Sequence, residues 1–322
     1  MPDNAGKQTV IRATGLTKTY NGTNVVDGLS MEVREGDIYG FVGRNGAGKS
    51  TTMKMICGLI SASAGTLEVL GHDPATHAGI TGVGTLIEAP GLLDRMSAMD
   101  NLMYKATALG VPNAREHCQE LLEIVNLADT GKKDSRDFSL GMRQRLGIAL
   151  AMVGNPKVLM LDEPFNGLDP AATHEMRQTL QRLNKERGMT LIVSSHVLDQ
   201  LNRFATRFGV INAGQMVVEF DAERMRDMAI GPIRVKCTDM NLAAQALKNA
   251  IPGLEFTRDA DGTILVPGNA TTIETVSLAL WRAGLQVLEL HQTERDVEEF
   301  FLELMNTSGE KGAASASAPA TA

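Results

Sequence analysis

The sequence predicts an α/β domain with a largely parallel sheet, followed by a smaller α+β module, and three observations carry that reading. Two short apolar runs, VLMLD (158–162) and TLIVSS (190–195), have the composition of parallel strands buried on both faces. A Gly-rich segment, GRNGAGKST (43–51), sits between an apolar stretch, Ile38 to Val42, and a helix-like one, Thr52 to Leu59. After Phe220 the pattern changes from alternating strands and helices to a compact set of short strands around two helices.

In chain order, strands are expected to alternate with helices from about Thr9 to Phe220, giving a first domain over 9–222. An insert richer in helix is expected at about 90–153. It includes Arg115 to Leu127, with apolar Leu121, Leu122, Ile124 and Val125, and a helix from Met142 to Val153. A second domain is expected over 223–306, with strands at Ile233 to Cys237, Leu254 to Thr257, Thr263 to Val266 and Gln286 to Leu290. Helices fall near Leu242 to Ala250 and Ile273 to Ala283, and Asp261-Gly262 marks a hairpin turn. The βαββαβ order is that of a ferredoxin-like module. Thr293 with Asp296 is expected to cap a last helix through Met305, and residues 307–322, rich in Ala, Ser, Gly and Thr, to be a disordered tail.

Composition narrows the function. A net charge of -7 argues against nucleic acid as a bulk electrostatic partner, which requires a basic face. Cys57, Cys118 and Cys237 are odd in number and far apart, indicating neither a disulfide framework nor a zinc site, and fit a reducing cytoplasm. The opening MPDNAGKQTV lacks the apolar core of a secretory signal, and no run reaches 18 apolar residues. Any role at a membrane is therefore expected to come through a partner.

The Gly-rich segment is a phosphate cradle. Gly43, Gly46 and Gly48 allow tight backbone turns, and Arg44, Asn45, Ala47 and Thr51 complete a loop whose N–H groups face an anion at a helix N-terminus. Lys49 meets β- and γ-phosphate oxygens, and the Ser50 hydroxyl is a ligand for Mg²⁺. The implied substrate is a nucleoside triphosphate. Asp162, ending the VLMLD strand, suits Mg²⁺, and Glu163 directly after it suits orientation or deprotonation of an attacking water. In FSLGMRQR (138–145), a serine hydroxyl and a glycine open a helix, which makes a second anion site; taken alone, the segment is an N-capped amphipathic helix.

GRNGAGKST, FSLGMRQRLGIALA, VLMLDEP, NGLDP and SSHVL, in that order, closely resemble the ATP-binding subunit of ABC transporters, a P-loop NTPase, over about the first 220 residues. The resemblance implies that two copies face head to tail and sandwich two ATPs. Ser139 and Gly141 would then contact the γ-phosphate in trans, Asp162 would help hold Mg²⁺, and Glu163 would be the general base. Asp169 resembles the D-loop aspartate, His196 the switch histidine that senses the γ-phosphate, and Tyr20 in LTKTY the aromatic that stacks on adenine; a surface β-strand tyrosine is the alternative there.

Two departures stand out. Leu140 and Met142 replace a glycine and the glutamine of the usual signature, and Glu88 in TLIEAPGLL stands where the family carries a glutamine that touches Mg²⁺ and the membrane subunit. LIEAPGLL and SLGMRQRLGIA resemble the branch that exports bacitracin or confers immunity to lantibiotics, which implies peptide-antibiotic or drug export through a separate permease. The permease contact is expected around Glu88 to Tyr104 and the helical insert, with Met96, Met99 and Met103 packing against a permease helix. A soluble ABC-type ATPase and a nucleotide switch without transport are the alternatives. The single cradle argues against the first and Glu163 against the second.

Overall fold

A computed structural model describes residues 7–76 and 82–294. The chain divides into two compact units, the first reaching Asp221 and the second beginning at Ala222.

The first unit opens with two 12-residue antiparallel strands, β1 (Thr9–Tyr20) and β2 (Thr23–Arg34), joined at Asn21-Gly22, where both residues take positive φ (50° and 80°). That is the conformation of a tight Asn-Gly hairpin. It corrects the expectation that strands and helices alternate from Thr9 onward. Leu29, Met31 and Val33 are buried at a spacing of two, the period of a sheet with one covered face. β4 (Ala64–Val69) completes a three-stranded sheet in the order β2-β1-β4.

The main sheet has six strands. These are β3 (Ile38–Val42), β5 (Val83–Leu86), β6 (Val158–Leu161), β7 (Thr190–Ser195), β8 (Arg207–Asn212) and β9 (Gln215–Asp221), in the order β5-β6-β7-β3-β8-β9. All neighbours are parallel except β8 and β9. Every residue of β3, β6 and β7 is buried, which is why these segments read as continuous apolar runs. Because β6, β7 and β3 are adjacent, their carboxyl ends lie side by side.

Helix α1 (Lys49–Ile56) stops short of the expected Leu59. Gly58 takes φ +67°, and the N–H groups of Leu59 and Gly58 donate to the carbonyls of Lys54 and Met55, a C-terminal cap that closes the helix. The same device ends α3 (Ala114–Ile124) before the expected Leu127. There Asn126 takes φ +54°, and Leu127 and Asn126 donate to Leu122 and Glu123. With α2 (Ala98–Ala108) and α4 (Leu140–Met152), α3 fills the chain between β5 and β6. α4 runs against the segment leaving β5: a Cβ added at Gly147 would lie 2.6 Å from Pro90 Cβ. α5 (Pro170–Arg187) and the short α6 (Asp199–Asn202) flank β7.

One close approach inside the main sheet fixes a core tyrosine. Tyr39 on β3 is fully buried, and its hydroxyl donates to Glu219 on β9 at 2.6 Å, two strands away. The phenol crosses β8 at Gly209, where an added Cβ would stand 2.0 Å from Tyr39 Oη. Burial, then the Glu219 charge, pushes the phenol well above its ordinary value, so it remains a donor. Gly209→Ala is therefore expected to destabilise the first unit by about 1 to 3 kcal/mol. The midpoint of urea unfolding checks this, and adding Tyr39→Phe should recover part of the loss.

The second unit holds α7 (Ala222–Ala229), β10 (Ile230–Cys237), α8 (Met240–Ala250), β11 (Thr257–Arg258), β12 (Ile264–Val266), α9 (Ile273–Arg282) and β13 (Val287–Glu294). Its sheet order is β11-β12-β10-β13, antiparallel throughout. Leu247 and Leu280 of α8 and α9 are buried with Ile233, Val235, Ile264 and Val266 of the strands in one apolar cluster. β11 is shorter than the strand expected at Leu254 to Thr257. Leu254 is buried in the core instead, and its N–H closes a turn onto the Ile251 carbonyl. Thr293 lies within β13 and donates its hydroxyl to the Pro232 carbonyl at 2.9 Å, so it belongs to the sheet rather than to a helix cap. The remainder of the expected last helix and the tail at 307–322 lie outside the described residues.

Candidate functional site

The site begins where β3 ends. Gly43 donates its N–H to the Ser195 carbonyl at the end of β7, tying the cradle to the neighbouring strand. Arg44, Asn45 and Gly46 are exposed; Ala47 is buried, and its carbonyl accepts the N–H of Gly214. Gly48 takes φ +105° directly before α1, and an added Cβ would lie 2.9 Å from the Val25 carbonyl oxygen. A side chain there would be both strained and crowded. The Thr52 hydroxyl donates back to the Gly48 carbonyl, whereas the half-buried hydroxyl of Ser50 makes no hydrogen bond to any described residue.

Lys49, 5% exposed, arches over the cradle it belongs to. Its ammonium donates to the carbonyls of Gly43 (2.6 Å) and Arg44 (3.3 Å), and stands 3.1 Å from Glu163 Oε1. The contact with Glu163 is an ion contact without the alignment of a hydrogen bond, so this buried carboxylate oxygen keeps its acceptor capacity. Glu163 Oε2 lies 2.8 Å from His196 Nδ1. The backbone of Glu163 is held at φ +49°, sparsely populated for a residue with a side chain, and strain of this kind clusters at functional sites.

Ser194 holds that backbone in place. Its hydroxyl accepts the Glu163 N–H at 2.8 Å and donates to Asp162 Oδ1 at 2.5 Å, so one side chain of β7 positions both carboxylate residues that follow β6. Sequence reading assigned no role to Ser194. The available signal was a buried hydroxyl at the end of an otherwise apolar strand, which must find partners across the sheet.

The structure thus gathers Gly43, Lys49, Asp162, Glu163 and His196 at three adjacent strand ends. The other candidate residues make their contacts elsewhere. Tyr20, 45% exposed at the end of β1, lies under the Lys18 ammonium at 5.1 Å. The exposed carboxylate of Glu88 pairs with Lys54 at 2.5 Å, and this bond raises the lysine above its ordinary value. Ser139 caps α4 by accepting the Met142 N–H, Gly141 is buried in that helix's first turn, and Asp169 caps α5 by accepting the Ala172 N–H at 2.7 Å. The three cysteines are unpaired, and burial pushes the Cys57 thiol up to about 12.

The family model for ABC transporters matches residues 26–166, from β2 through the strand ends that carry Asp162 and Glu163. The chain is 34% identical over 299 residues to the bacitracin transport ATP-binding protein BcrA of Bacillus licheniformis, an alignment covering 92% of this chain and 97% of that protein. This chain belongs to the ABC transporter ATP-binding proteins. It is also 37% identical over 210 residues to the lantibiotic transport ATP-binding protein SrtF of Streptococcus pyogenes, covering 65% of this chain and 90% of that one. The expected resemblance to the bacitracin and lantibiotic branch is borne out. The solved structure of an ATP-binding subunit of an ABC transporter superposes with a TM-score of 0.61 at 27% identity, over 68% of this chain and 92% of that one.

As an ABC transporter ATP-binding protein, the chain is an ATPase subunit with the P-loop NTPase fold. Among the described residues, no helix is long and apolar enough to cross a membrane.

Proposed function

We propose that this ABC subunit powers export of a peptide antibiotic, lantibiotic or related drug through a separate membrane permease, to whose inner face it binds. Two copies pair around two ATP molecules, with no nucleic acid involved. The observation that carries the reading is the convergence of Lys49, Asp162, Glu163 and His196 at the ends of β3, β6 and β7.

Phosphate enters at the N-terminus of α1, where residues 43 to 51 supply backbone donors and Tyr20 supplies an aromatic face for adenine. Lys49, which shares its ammonium between cradle carbonyls and Glu163, turns to the β- and γ-phosphates, and this exchange releases Glu163 Oε1. Glu163 then accepts the proton of the attacking water, and His196 bridges its other oxygen to the γ-phosphate.

The residues fit Mg²⁺, a hard cation that takes oxygen ligands and few protein groups. The unspent Ser50 hydroxyl and Asp162, whose Oδ1 is fixed by Ser194, would hold it, and Glu88 would join them by exchanging Lys54 for the metal. When bound there, such an ion would supply charge neutralisation for the phosphates. Ser139 and Gly141, at the start of α4, complete the partner copy's site, and Asp169 lies at that junction. ATP closes the pair, hydrolysis reopens it, and the motion reaches the permease around Glu88 to Tyr104. In that stretch Met96 is exposed and Met99 and Met103 are half-buried.

The test is the chain reconstituted with its permease in vesicles, assayed for ATP-dependent movement of bacitracin, a lantibiotic and an anthracycline. Transport of one of these, lost without ATP, is expected. Hydrolysis with none of them moved or stimulating turnover would refute the export assignment while leaving the ATPase intact.

A further inference from the structure

Between β6 and β7 one hydroxyl joins the two carboxylate residues of the site in a directional chain. The Glu163 N–H donates to Ser194 Oγ at 2.8 Å, and Ser194 Oγ donates onward to Asp162 Oδ1 at 2.5 Å. A serine hydroxyl carries a single proton and an ionised carboxylate can only accept, so the polarity of the chain is fixed. Ser194 is fully buried. Satisfying a buried hydroxyl does not require this arrangement. The adjacent Ser195, equally buried, faces the other side of β7 and is satisfied locally, by the carbonyl and N–H of Val197 and by Gln200.

The bond to the Glu163 N–H braces a backbone held at φ +49°, so the side chain of the base starts from a fixed point beside Lys49 and His196. The bond to Asp162 takes one of that carboxylate's two oxygens. The Asp162 backbone is tied as well, its N–H donating to the Leu86 carbonyl at 2.8 Å, and no described residue donates to Oδ2. Asp162 therefore offers a single oxygen from a fixed place. Such a donor suits Mg²⁺, which demands near-ideal octahedral geometry and keeps several waters. It suits Ca²⁺ less, because that ion takes more oxygens, often both of one carboxylate, and tolerates a looser cage.

We infer that Ser194 is a positioning residue of ATP hydrolysis: by holding Asp162 to one free oxygen and the Glu163 backbone in register with it, Ser194 places the base and gives the site a preference for Mg²⁺ over Ca²⁺. This rests on the roles proposed above for Asp162 and Glu163 and adds the group that sets their common geometry. Ser194 acts through these two residues and not by contact with the reacting atoms.

The test uses the full chain with Ser194→Ala, which adds no volume, and the isosteric pair Ser194→Thr and Ser194→Val, of which only Thr keeps the hydroxyl. Two quantities are read: turnover at saturating ATP and Mg²⁺, and equilibrium affinity for a non-hydrolysable ATP analogue with Mg²⁺, with Ca²⁺ and with chelator. Ala and Val are expected to lower turnover about 10- to 100-fold and to cut the advantage of Mg²⁺ over Ca²⁺ in analogue binding about tenfold, the usual worth of a hydrogen bond that orients a metal-holding carboxylate. Affinity in chelator should stay at the native value, because the cradle is untouched, and Thr should restore both losses. A serine that served packing alone would weaken binding with the two ions equally. Native turnover or a native ratio between the ions in the Ala chain overturns the inference, whatever Thr and Val do. Asp162→Asn separates the two levels. If that chain also keeps the native ratio, Asp162 does not hold the ion and the underlying reading fails. If it loses the ratio while Ser194→Ala keeps it, only the role of Ser194 fails.

Discussion

Glu163→Gln is expected to slow ATP hydrolysis by about 10² to 10⁴-fold, the usual worth of a positioned base, while leaving ATP affinity largely intact. The substitution keeps the volume and the reach towards His196 Nδ1, which lies 2.8 Å from the carboxylate. It removes the basic oxygen facing Lys49, the atom whose acceptor capacity is unspent. The backbone at φ +49° and its bond to Ser194 are unaffected by the change in side-chain chemistry, so the loss should appear in turnover and not in folding. Phosphate release at saturating ATP, with equilibrium nucleotide binding measured in parallel, checks this. Turnover near the native rate would remove Glu163 from the role of base.

Lys49→Ala should differ in its effect on binding, with ATP affinity falling by roughly 30-fold or more as a buried charge partner of the phosphates is lost. Turnover should fall with it. The lysine is almost fully buried and donates to Gly43 and Arg44, so its removal also loosens the cradle. Lys49→Arg separates charge from shape. The planar, bulkier guanidinium restores the charge and cannot reproduce a point contact with two carbonyls and a carboxylate. Affinity and turnover equal to the native chain in Lys49→Ala would mean that the phosphates bind elsewhere.

The chemistry of the site was legible because each group follows a recognisable strand. Gly43, Asp162 and His196 each stand directly after an apolar run, and the adjacency of β6, β7 and β3 converts three distant sequence positions into neighbours. Ser194 was not legible as a site residue, because only the register of β7 against β6 brings its hydroxyl between Asp162 and Glu163. Nor does sequence show that Glu88 is engaged with Lys54, a pairing 34 residues apart.

Several fold details are encoded by local residues. Asn21-Gly22 is a strong hairpin signal, and reading it would have separated the antiparallel β1 and β2 from the parallel sheet. Gly58 and Asn126 end their helices with residues suited to positive φ, while apolar Leu59 and Leu127 had extended the expected helices beyond them. Leu254 misled in the other direction, since apolar character records burial and not participation in a ladder.

The bare face of α4 at Gly147 has a mechanical consequence. With no side chain interposed, the helix whose first residues include Gly141 rests its backbone against Pro90, two positions beyond Glu88. Such a bearing surface has almost no slack: on the coupling proposed above, a thrust delivered to the 86–90 stretch would be passed to the far end of the rod without being absorbed by rotamer changes. Enlarging residue 147 would wedge the joint apart, and the two ends of the machine would lose their common stroke.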